Sequence, residues 1–165
     1  MKTSIRILLV LSFVFAVISC ASAPKYIYEE GAISLRLKSG PDVNLYDGKA
    51  HTLLLCVYQL RDPNAFNQLF DEEDGISKLL ECTRFDASVM SSKRIVIQPN
   101  EETTRILDRS EGTKYVGIVA GYFQMEKKNI MRLKQVPLGM FTGSPVKMDI
   151  GLYLGPKELQ ETGGK

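Results

Sequence analysis

Alternation of apolar and polar residues dominates this chain after its first thirty positions, and it predicts β-strands rather than helices. Residues 33–37 alternate strictly, as in a strand with one buried face, and 146–154 repeat the pattern. Two further runs, 53–60 and 115–123, are apolar on both faces, which is typical of central strands. The chain is therefore predicted to be mainly β.

Helical spacing is confined to one part of the chain. Asp62 is suited to cap a helix, and Pro63 is suited to its first turn. The apolar residues that follow recur at intervals of three and four: Phe66, Leu69, Phe70, then Ile76, Leu79 and Leu80. We expect a short helical insertion over about residues 62–82.

Weaker strand patterns complete the count. Residues 94–98 and 103–107 flank the turn-prone pair Pro99-Asn100, which predicts a hairpin, and 131–136 is a further strand. About seven to eight short strands separated by turns favour a β-sandwich, placed over residues 31–155. The segment 156–165 is polar and is expected to fray.

The first nineteen residues have the pattern of a signal peptide. Lys2 and Arg6 precede an apolar run over residues 7–18, which suits an export leader and is too short for a mature membrane span. The run ends in Val17-Ile18-Ser19-Cys20, which resembles the bacterial lipobox. The alternative is an ordinary secretory leader with an incidental cysteine. The spacing, the small Ser19 and the lack of a competing cleavage site favour a lipoprotein.

A lipobox implies that Cys20 becomes the first mature residue and carries a diacylglyceryl group and a further acyl chain. These covalent lipids are the only non-protein groups expected, and no cofactor is expected. Residues 20–30 would then be the lipidated N-terminus and a tether containing Pro24. The residue after the cysteine is Ala21 and not Asp, a pattern that resembles lipoproteins sent to the outer membrane. We expect an outer-membrane anchor with the domain facing the periplasm.

Charge and size narrow the class of function. The chain has 21 basic and 19 acidic residues, and removal of Lys2 and Arg6 with the leader leaves 19 of each. A near-neutral domain lacks the basic surplus that attracts phosphate backbones, so nucleic acid is not an expected partner.

No set of residues favours catalysis or a metal site. The single histidine, His51, lies at a loop-to-strand junction beside Thr52, whereas a triad or a zinc site needs further partners. Residues 71–74 are all acidic and could hold calcium, but they lack the alternating ligands of an EF-hand loop. A solvated acidic turn is the favoured interpretation, and no metal is expected.

Cys56 and Cys82 remain after Cys20 is assigned to lipid. The export compartment is oxidising, so a disulfide between them is the first expectation. The alternative is a pair of buried thiols that pack as small hydrophobic residues. A bridge would connect the helical insertion to the strand at 53–60.

Several segments together resemble the TssJ lipoproteins of the type VI secretion system. Residues 42–49, with the sequence Asp-Val-Asn-Leu-Tyr-Asp-Gly-Lys, and the strand at 53–60 ending in Tyr-Gln-Leu are similar to that family's first hallmark. The turn at 98–101 resembles the family's Pro-Gly-Glu turn, with Asn100 in place of glycine. Residues 115–123 resemble its second hallmark strand. Met131-Arg132 replaces the tryptophan–arginine pair often found there.

The resemblance implies a transthyretin-like β-sandwich that binds the periplasmic C-terminal region of TssM and, through it, TssL. The loop at about residues 39–51 corresponds to the family's partner-binding protrusion. Tyr46 is the preferred contact, because an aromatic residue in a loop has no core to fill. The candidate partner-binding residues are Asp42, Asn44, Leu45, Tyr46 and Asp47.

Two other classes of function fit the sequence less well than this scaffold role. A small-ligand or carbohydrate-binding lipoprotein would need clustered aromatic residues, and the sequence has no tryptophan and no clustered aromatics. A periplasmic hydrolase would need a nucleophile beside a base. A structural, non-enzymatic lipoprotein is therefore the predicted function.

Overall fold

The computed structural model describes residues 23–163, which contain eight strands and three short helices. The leader and Cys20 lie outside the described residues. In chain order the elements are β1 (Glu29–Ser39), β2 (Leu53–Leu60), α1 (Asn64–Asp71), α2 (Gly75–Leu79), β3 (Val89–Ile97), β4 (Glu102–Arg109), β5 (Tyr115–Gly121), α3 (Lys127–Ile130), β6 (Met131–Gln135), β7 (Met148–Leu154) and β8 (Leu159–Thr162).

The strands form two four-stranded sheets, ordered β4-β1-β7-β8 and β3-β2-β5-β6. All neighbouring strands are antiparallel except β1 and β7, which run parallel with Ile33 opposite Met148. The predicted β-sandwich with a helical insertion is therefore confirmed.

Alternation along β1 and β7 places their apolar side chains between the sheets. Ile33, Leu35 and Leu37 are almost completely buried, and so are Ile150 and Leu152 on β7. Successive residues of a strand point to opposite faces, so the polar residues between them reach solvent. The one-sided burial predicted for these two strands is confirmed.

Strand β2 is buried on both faces because the helical insertion covers the outer side of its sheet. Phe66 packs over Gly117 of β5, where a Cβ atom would lie 2.8 Å from the phenyl ring. The hydroxyl of Tyr58 donates a hydrogen bond of 2.5 Å to the carbonyl of Leu79. Burial raises the pKa of Tyr58 to about 12, so this donor stays protonated at neutral pH.

A disulfide joins the insertion to the sheet. Cys56 on β2 and Cys82, just after α2, are bonded with their Cα atoms 5.0 Å apart across a sequence separation of 26. The bond therefore holds the helices over the face that they cover.

The strands around Pro99-Asn100 do not form the predicted hairpin. The turn itself is present, with Asn100 at φ +58°, but β3 pairs with β2 and β4 pairs with β1. The turn crosses from one sheet to the other because the Ser39 hydroxyl and the Gly40 carbonyl bind its backbone. A short turn can join strands within one sheet or between two, and the local sequence does not distinguish them.

The polar tail also differs from the prediction. Residues 159–162 form β8, which pairs with β7 and adds an eighth strand to the sandwich. Leu159 is fully buried, and the neighbouring Glu158 carbonyl accepts a hydrogen bond from the Tyr122 hydroxyl. A single apolar residue was too weak a signal for a strand that is held mainly by backbone hydrogen bonds.

Helix α1 begins one residue later than predicted. Its first residue is Asn64, with Pro63 at the cap position. Asp62 lies one residue earlier, yet its carboxylate accepts a hydrogen bond of 2.8 Å from the Asn64 amide. The acidic side chain therefore still satisfies an amide of the first turn.

Removal of the disulfide should destabilise the domain without changing its topology. In the chain-entropy model a loop of this length contributes about 3 kcal/mol to the free energy of unfolding. We expect Cys56→Ala/Cys82→Ala to lose about that amount in guanidinium unfolding of the chain from residue 21 onward. Reductant should lower the midpoint of the parent chain similarly and leave the double variant unchanged. An unchanged parent midpoint in reductant would contradict the bridge.

Candidate functional site

Three rings meet at the end of the sandwich where β1 and β5 finish, which we call the distal end. The side chains of Tyr46, His51 and Phe123 form this aromatic cluster. The Tyr46 and Phe123 rings stack with centroids 4.7 Å apart and planes 20° apart, and His51 meets Phe123 edge-on at 5.0 Å. Tyr46 and Phe123 are 50% and 54% exposed, so a large part of the cluster faces solvent.

A tight turn holds Tyr46 at the tip of the β1–β2 loop (residues 40–52). Tyr46 and Lys49 exchange two backbone hydrogen bonds of 2.9 and 3.0 Å. The two residues between them, Asp47 and Gly48, have φ of +48° and +69°. Two positive φ values are characteristic of a type I′ turn, for which Asp-Gly is a favoured pair. The aromatic side chain is therefore carried on a closed, hydrogen-bonded hairpin tip.

Asn44 links the loop to the end of β5. Its side chain is buried, and its amide donates a hydrogen bond of 2.8 Å to the Thr52 carbonyl. Its Oδ1 accepts a hydrogen bond of 2.8 Å from the backbone amide of Phe123. Asn44 has φ +49°, a conformation that asparagine tolerates better than most residues. It therefore fixes the position of Phe123 against the loop.

The base of the loop is attached to the domain at several points. Val43 is fully buried in the core, and the amides of Asn44 and Leu45 donate to the carbonyls of Gly155 and Pro156. The β7–β8 turn thus supports the loop from below. The loop is a rigid projection of the sandwich.

The predicted binding residues divide into two groups. Asp42, Tyr46 and Asp47 are exposed and available to a partner. Leu45 is partly buried, and Asn44 is 3% exposed with both side-chain polar atoms already paired. In the structure Asn44 positions the loop, which leaves Asp42, Tyr46 and Asp47 as the exposed candidates for contact with a partner.

Sequence reasoning missed Phe123 as a site residue and also missed the cluster itself. Phe123 was assigned to a strand, but β5 ends at Gly121, and the ring is turned outward beside Tyr46. The expectation that the aromatic residues are not clustered was therefore wrong. Seventy-seven positions separate Tyr46 from Phe123, so only the fold brings them together. The aromatic pair Tyr122-Phe123 at a strand end was the available local signal.

The remaining candidate chemistry is placed elsewhere or is absent from the described part of the chain. Residues 71–74 lie in and just after the end of α1, where the Lys127 ammonium donates to the carbonyls of Asp71 and Glu72. Over residues 23–163, no group of three or more His, Cys, Asp or Glu side chains could hold a metal ion. None of the helices in this range has the length and apolar character of a membrane span.

This arrangement is suited to contact with another protein. A rigid loop carrying exposed aromatic rings provides contact area without a large ordering cost on binding, and aromatic residues are enriched at interface centres. His51 is half-buried and packed on Phe123, with no nucleophile positioned by it among the hydrogen bonds of the described residues.

Comparisons with known proteins agree in family and in fold. Residues 31–152 match the model of a family described as type VI secretion lipoprotein, with the members VasD, EvfM and TssJ. No curated protein matches the sequence significantly.

Solved structures share the fold at low sequence identity. The type VI lipoprotein TssJ1 from Pseudomonas aeruginosa has a TM-score of 0.61 and 17% identity, covering 84% of this chain and 98% of that one. Serratia marcescens Lip, a membrane-bound type VI component, has a TM-score of 0.64 and 14% identity, covering 81% and 98%. A chain in a structure described as the TssM C-terminal domain from EAEC has a TM-score of 0.63 and 12% identity, covering 80% and 98%.

Loss of the Asn44 side chain should loosen the loop measurably. Asn44→Gly removes both hydrogen bonds while tolerating positive φ, and we expect the free energy of unfolding to fall by about 2 kcal/mol. Asn44→Ala should cost about 1 kcal/mol more, because left-handed backbone is strained for alanine. Denaturant unfolding measures both, with exposed Lys49→Ala as the control. Parent-like stability of Asn44→Ala would show that Asn44 does not hold the loop.

Proposed function

Because the chain belongs to the TssJ family of type VI secretion lipoproteins, we propose that it is a structural protein of the secretion system's membrane complex. In this proposal it binds the periplasmic C-terminal region of TssM through the distal end of the sandwich. Acyl chains on Cys20 hold it at the inner face of the outer membrane. TssL is then connected indirectly, through TssM.

The observation that carries the proposal is the exposed aromatic cluster, in which the β1–β2 loop holds Tyr46 against Phe123, which follows β5. Tyr46 and Phe123 are each about half exposed although they stack on each other, and Asn44 and the type I′ turn hold them in place. A pre-ordered surface loses little conformational entropy on binding, so more of its contact energy contributes to affinity. Exposed Asp42 and Asp47 would provide the polar rim.

The choice of TssM has two further supports. The expectation that this same loop is the partner-binding protrusion, which comes from the family resemblance, supports the choice. A chain with this fold also occurs in a structure described as the TssM C-terminal domain. Both point to the periplasmic part of TssM as the partner to test first.

The path of β1 suits an anchoring role. The strand runs eleven residues from Glu29, beside the tether, to Ser39, beside the loop. At about 3.3 Å per residue it separates the two by at most about 35 Å, since the register shift at Gly31 shortens its first part. Binding TssM at one end and lipid at the other would place the sandwich in line between the membrane and the machine.

Lipid on Cys20 would make the membrane attachment durable. Each buried methylene contributes about 0.8 kcal/mol, and one acyl chain alone binds reversibly, whereas two or three do not readily leave the bilayer. A stable anchor of this kind is what a structural connection between membrane and machine requires.

Substitution of the aromatic cluster should weaken TssM binding selectively. We expect Tyr46→Ala and Phe123→Ala each to raise the dissociation constant for the TssM C-terminal region by about tenfold or more, as aromatic anchors at interface centres do. Calorimetric titration of purified soluble domains measures it. Point substitutions are preferred to deletion of 39–51, because deletion would remove Val43 from the core.

The matched control is Phe141→Ala. This phenylalanine is also exposed but lies in the loop between β6 and β7, near the start of β1. Its substitution should leave the affinity for TssM unchanged. Equal affinities for the Tyr46, Phe123 and Phe141 variants would reject the distal end as the binding site.

Loss of the lipid attachment point should release the protein from the membrane. Cys20→Ser removes the thiol that takes the diacylglyceryl group, so we expect the protein in the soluble fraction and type VI secretion abolished. Sucrose-gradient fractionation of cell envelopes measures the location. Outer-membrane retention of Cys20→Ser would count against the anchor. Normal TssM affinity of the purified variant would show that only attachment was lost.

A further inference from the structure

The loop between β6 and β7 carries the most exposed apolar residues in the described part of the chain. Met140 and Phe141 are 91% and 97% exposed at its tip, and Leu138 is also exposed. Adjacent apolar side chains on a soluble domain usually mark a contact with a membrane or a partner. This surface lies outside the TssM-binding site proposed above.

The loop is an ordered hydrogen-bonded structure. Two backbone hydrogen bonds of 2.8 Å close the tip. The Gly139 amide donates one to the Ser144 carbonyl, and the Gly143 amide donates the other to the Gly139 carbonyl. Below the tip, the Val146 amide donates to the Pro137 carbonyl at 2.9 Å. The tip is therefore held in a conformation that presents Met140 and Phe141 to solvent.

Topology places this loop beside the tether. Strand β7 runs parallel to β1 with Met148 opposite Ile33, so the loop preceding β7 reaches the end where β1 begins. Residues from both segments line one groove: Ala23, Pro24 and Ile27 from the tether, and Leu138, Phe141 and Pro145 from the loop. We call this end of the sandwich the proximal end.

Arg109 connects the two segments. Its guanidinium is almost fully buried and donates a hydrogen bond of 2.6 Å to the Glu29 carboxylate at the start of β1. It also donates 3.1 Å to the carbonyl of Val146 in the loop. Removal of either contact would leave a buried charge poorly paired, so loop and tether are held side by side.

The tether is bound to the domain close to its described start. The Gly112 amide donates 2.7 Å to the Tyr26 carbonyl, and the Tyr28 hydroxyl donates 2.8 Å to the Asp108 carboxylate. Hydrogen bonds from the Gly31 amide and from this hydroxyl hold the pKa of the Asp108 carboxyl below its usual range. Ala23 lies three positions after Cys20 in the sequence, a distance of at most roughly 10 Å.

We propose that the β6–β7 loop is a second membrane contact, in which Met140 and Phe141 enter the interface of the leaflet that holds the acyl chains on Cys20. The inference rests on the lipid anchor proposed above. An anchor within roughly 10 Å of Ala23 keeps the proximal end at the headgroups, a layer about 5–7 Å thick on each side of the hydrocarbon.

The charges at the proximal end favour lipid over a second copy or another protein. Residues 136–147 and 23–28 contain no acidic residue, and the carboxylate of Glu29 is paired with Arg109. Lys25 lines the same groove as Phe141, and Lys147 follows the loop in sequence, so both would attract anionic headgroups. Within these two segments apolar side chains lie beside lysines, which is the composition of an interfacial membrane contact. The nearest carboxylates outside them are Asp108, which is paired with the Tyr28 hydroxyl, exposed Glu30, and Glu111, which lines a separate groove with Lys25.

A second contact would also orient the domain. A single flexible attachment lets the sandwich rotate, whereas lipid at Cys20 together with the loop tip defines how β1 leaves the membrane. The aromatic cluster would then be held at most about 35 Å from the proximal end, facing the periplasm.

Tryptophan fluorescence tests the proposal, because the chain has no tryptophan of its own. The mature lipoprotein carrying Phe141→Trp is reconstituted in vesicles of phosphatidylethanolamine and phosphatidylglycerol that include lipids brominated on their acyl chains. Phe123→Trp, at the distal end, is the matched control. Flotation of the vesicles establishes in each case that the protein is attached.

We expect the Phe141→Trp emission to shift to shorter wavelength and to be strongly quenched by brominated lipid, with Phe123→Trp unaffected. The same Phe141→Trp chain with Cys20→Ser should show water-exposed emission in solution. Met140→Ser/Phe141→Ser should leave TssM affinity unchanged, because the distal end is intact.

Other results would overturn the inference. Equal quenching of both tryptophans, or of neither, in attached protein would show that the loop has no specific membrane contact. A Phe141→Trp signal shielded from acrylamide yet not quenched by brominated lipid would assign the loop to a second copy or a partner protein. Failure to float would reject the lipid anchor itself and the inference with it.

Discussion

Backbone hydrogen bonding on both sides of β1 is the constraint on which the layout of this molecule depends. Antiparallel pairing with β4 and parallel pairing with β7 hold β1 in the middle of its sheet from Ile33 to its end, after an irregular first part at Gly31. The strand begins beside the tether and ends beside the β1–β2 loop, so the two regions cannot approach each other. The parallel partner adds a consequence, since the loop preceding β7 must lie at the end where β1 begins.

Two buried polar side chains perform matching tasks at the two ends. Asn44 joins the β1–β2 loop to the end of β5 at the distal end, and Arg109 joins β1 to the β6–β7 loop at the proximal end. Each is buried and bonds to segments distant in sequence, and an unpaired polar group there would be costly. These residues make the loops precise enough to present exposed side chains in a defined arrangement.

The second sheet provides rigidity by a different means. Strand β2 contributes one face to the core and the other to contacts with α1 and α2, where Phe66 packs on Gly117 and a disulfide closes the segment. Because both faces of β2 are buried, its position is determined more tightly than that of a strand with one wet face. The result is a stiff body between the proximal and the distal end.

The sequence by itself determined the features that depend on local periodicity and local chemistry. Strict alternation identified β1 and β7, and two-sided apolar runs identified β2 and β5. The pair Asp47-Gly48 is a further local signal, which lies at the tip of the β1–β2 loop in the structure. An Asp-Gly pair forms a type I′ turn from its own backbone preferences, so no distant contact is needed to predict it.

Only the tertiary structure decided which strands pair and which loops meet. Pro99-Asn100 would form a turn within one sheet or between two sheets. The hydrogen bonds to Ser39 and Gly40 decide that it connects the two sheets. Strand β8 forms because β7 provides a sheet edge for it to pair with. The aromatic cluster forms because Asn44 holds Phe123 near Tyr46. The physical reason is that these features depend on contacts between residues far apart in the chain, whose energies the pattern around any one of them does not contain.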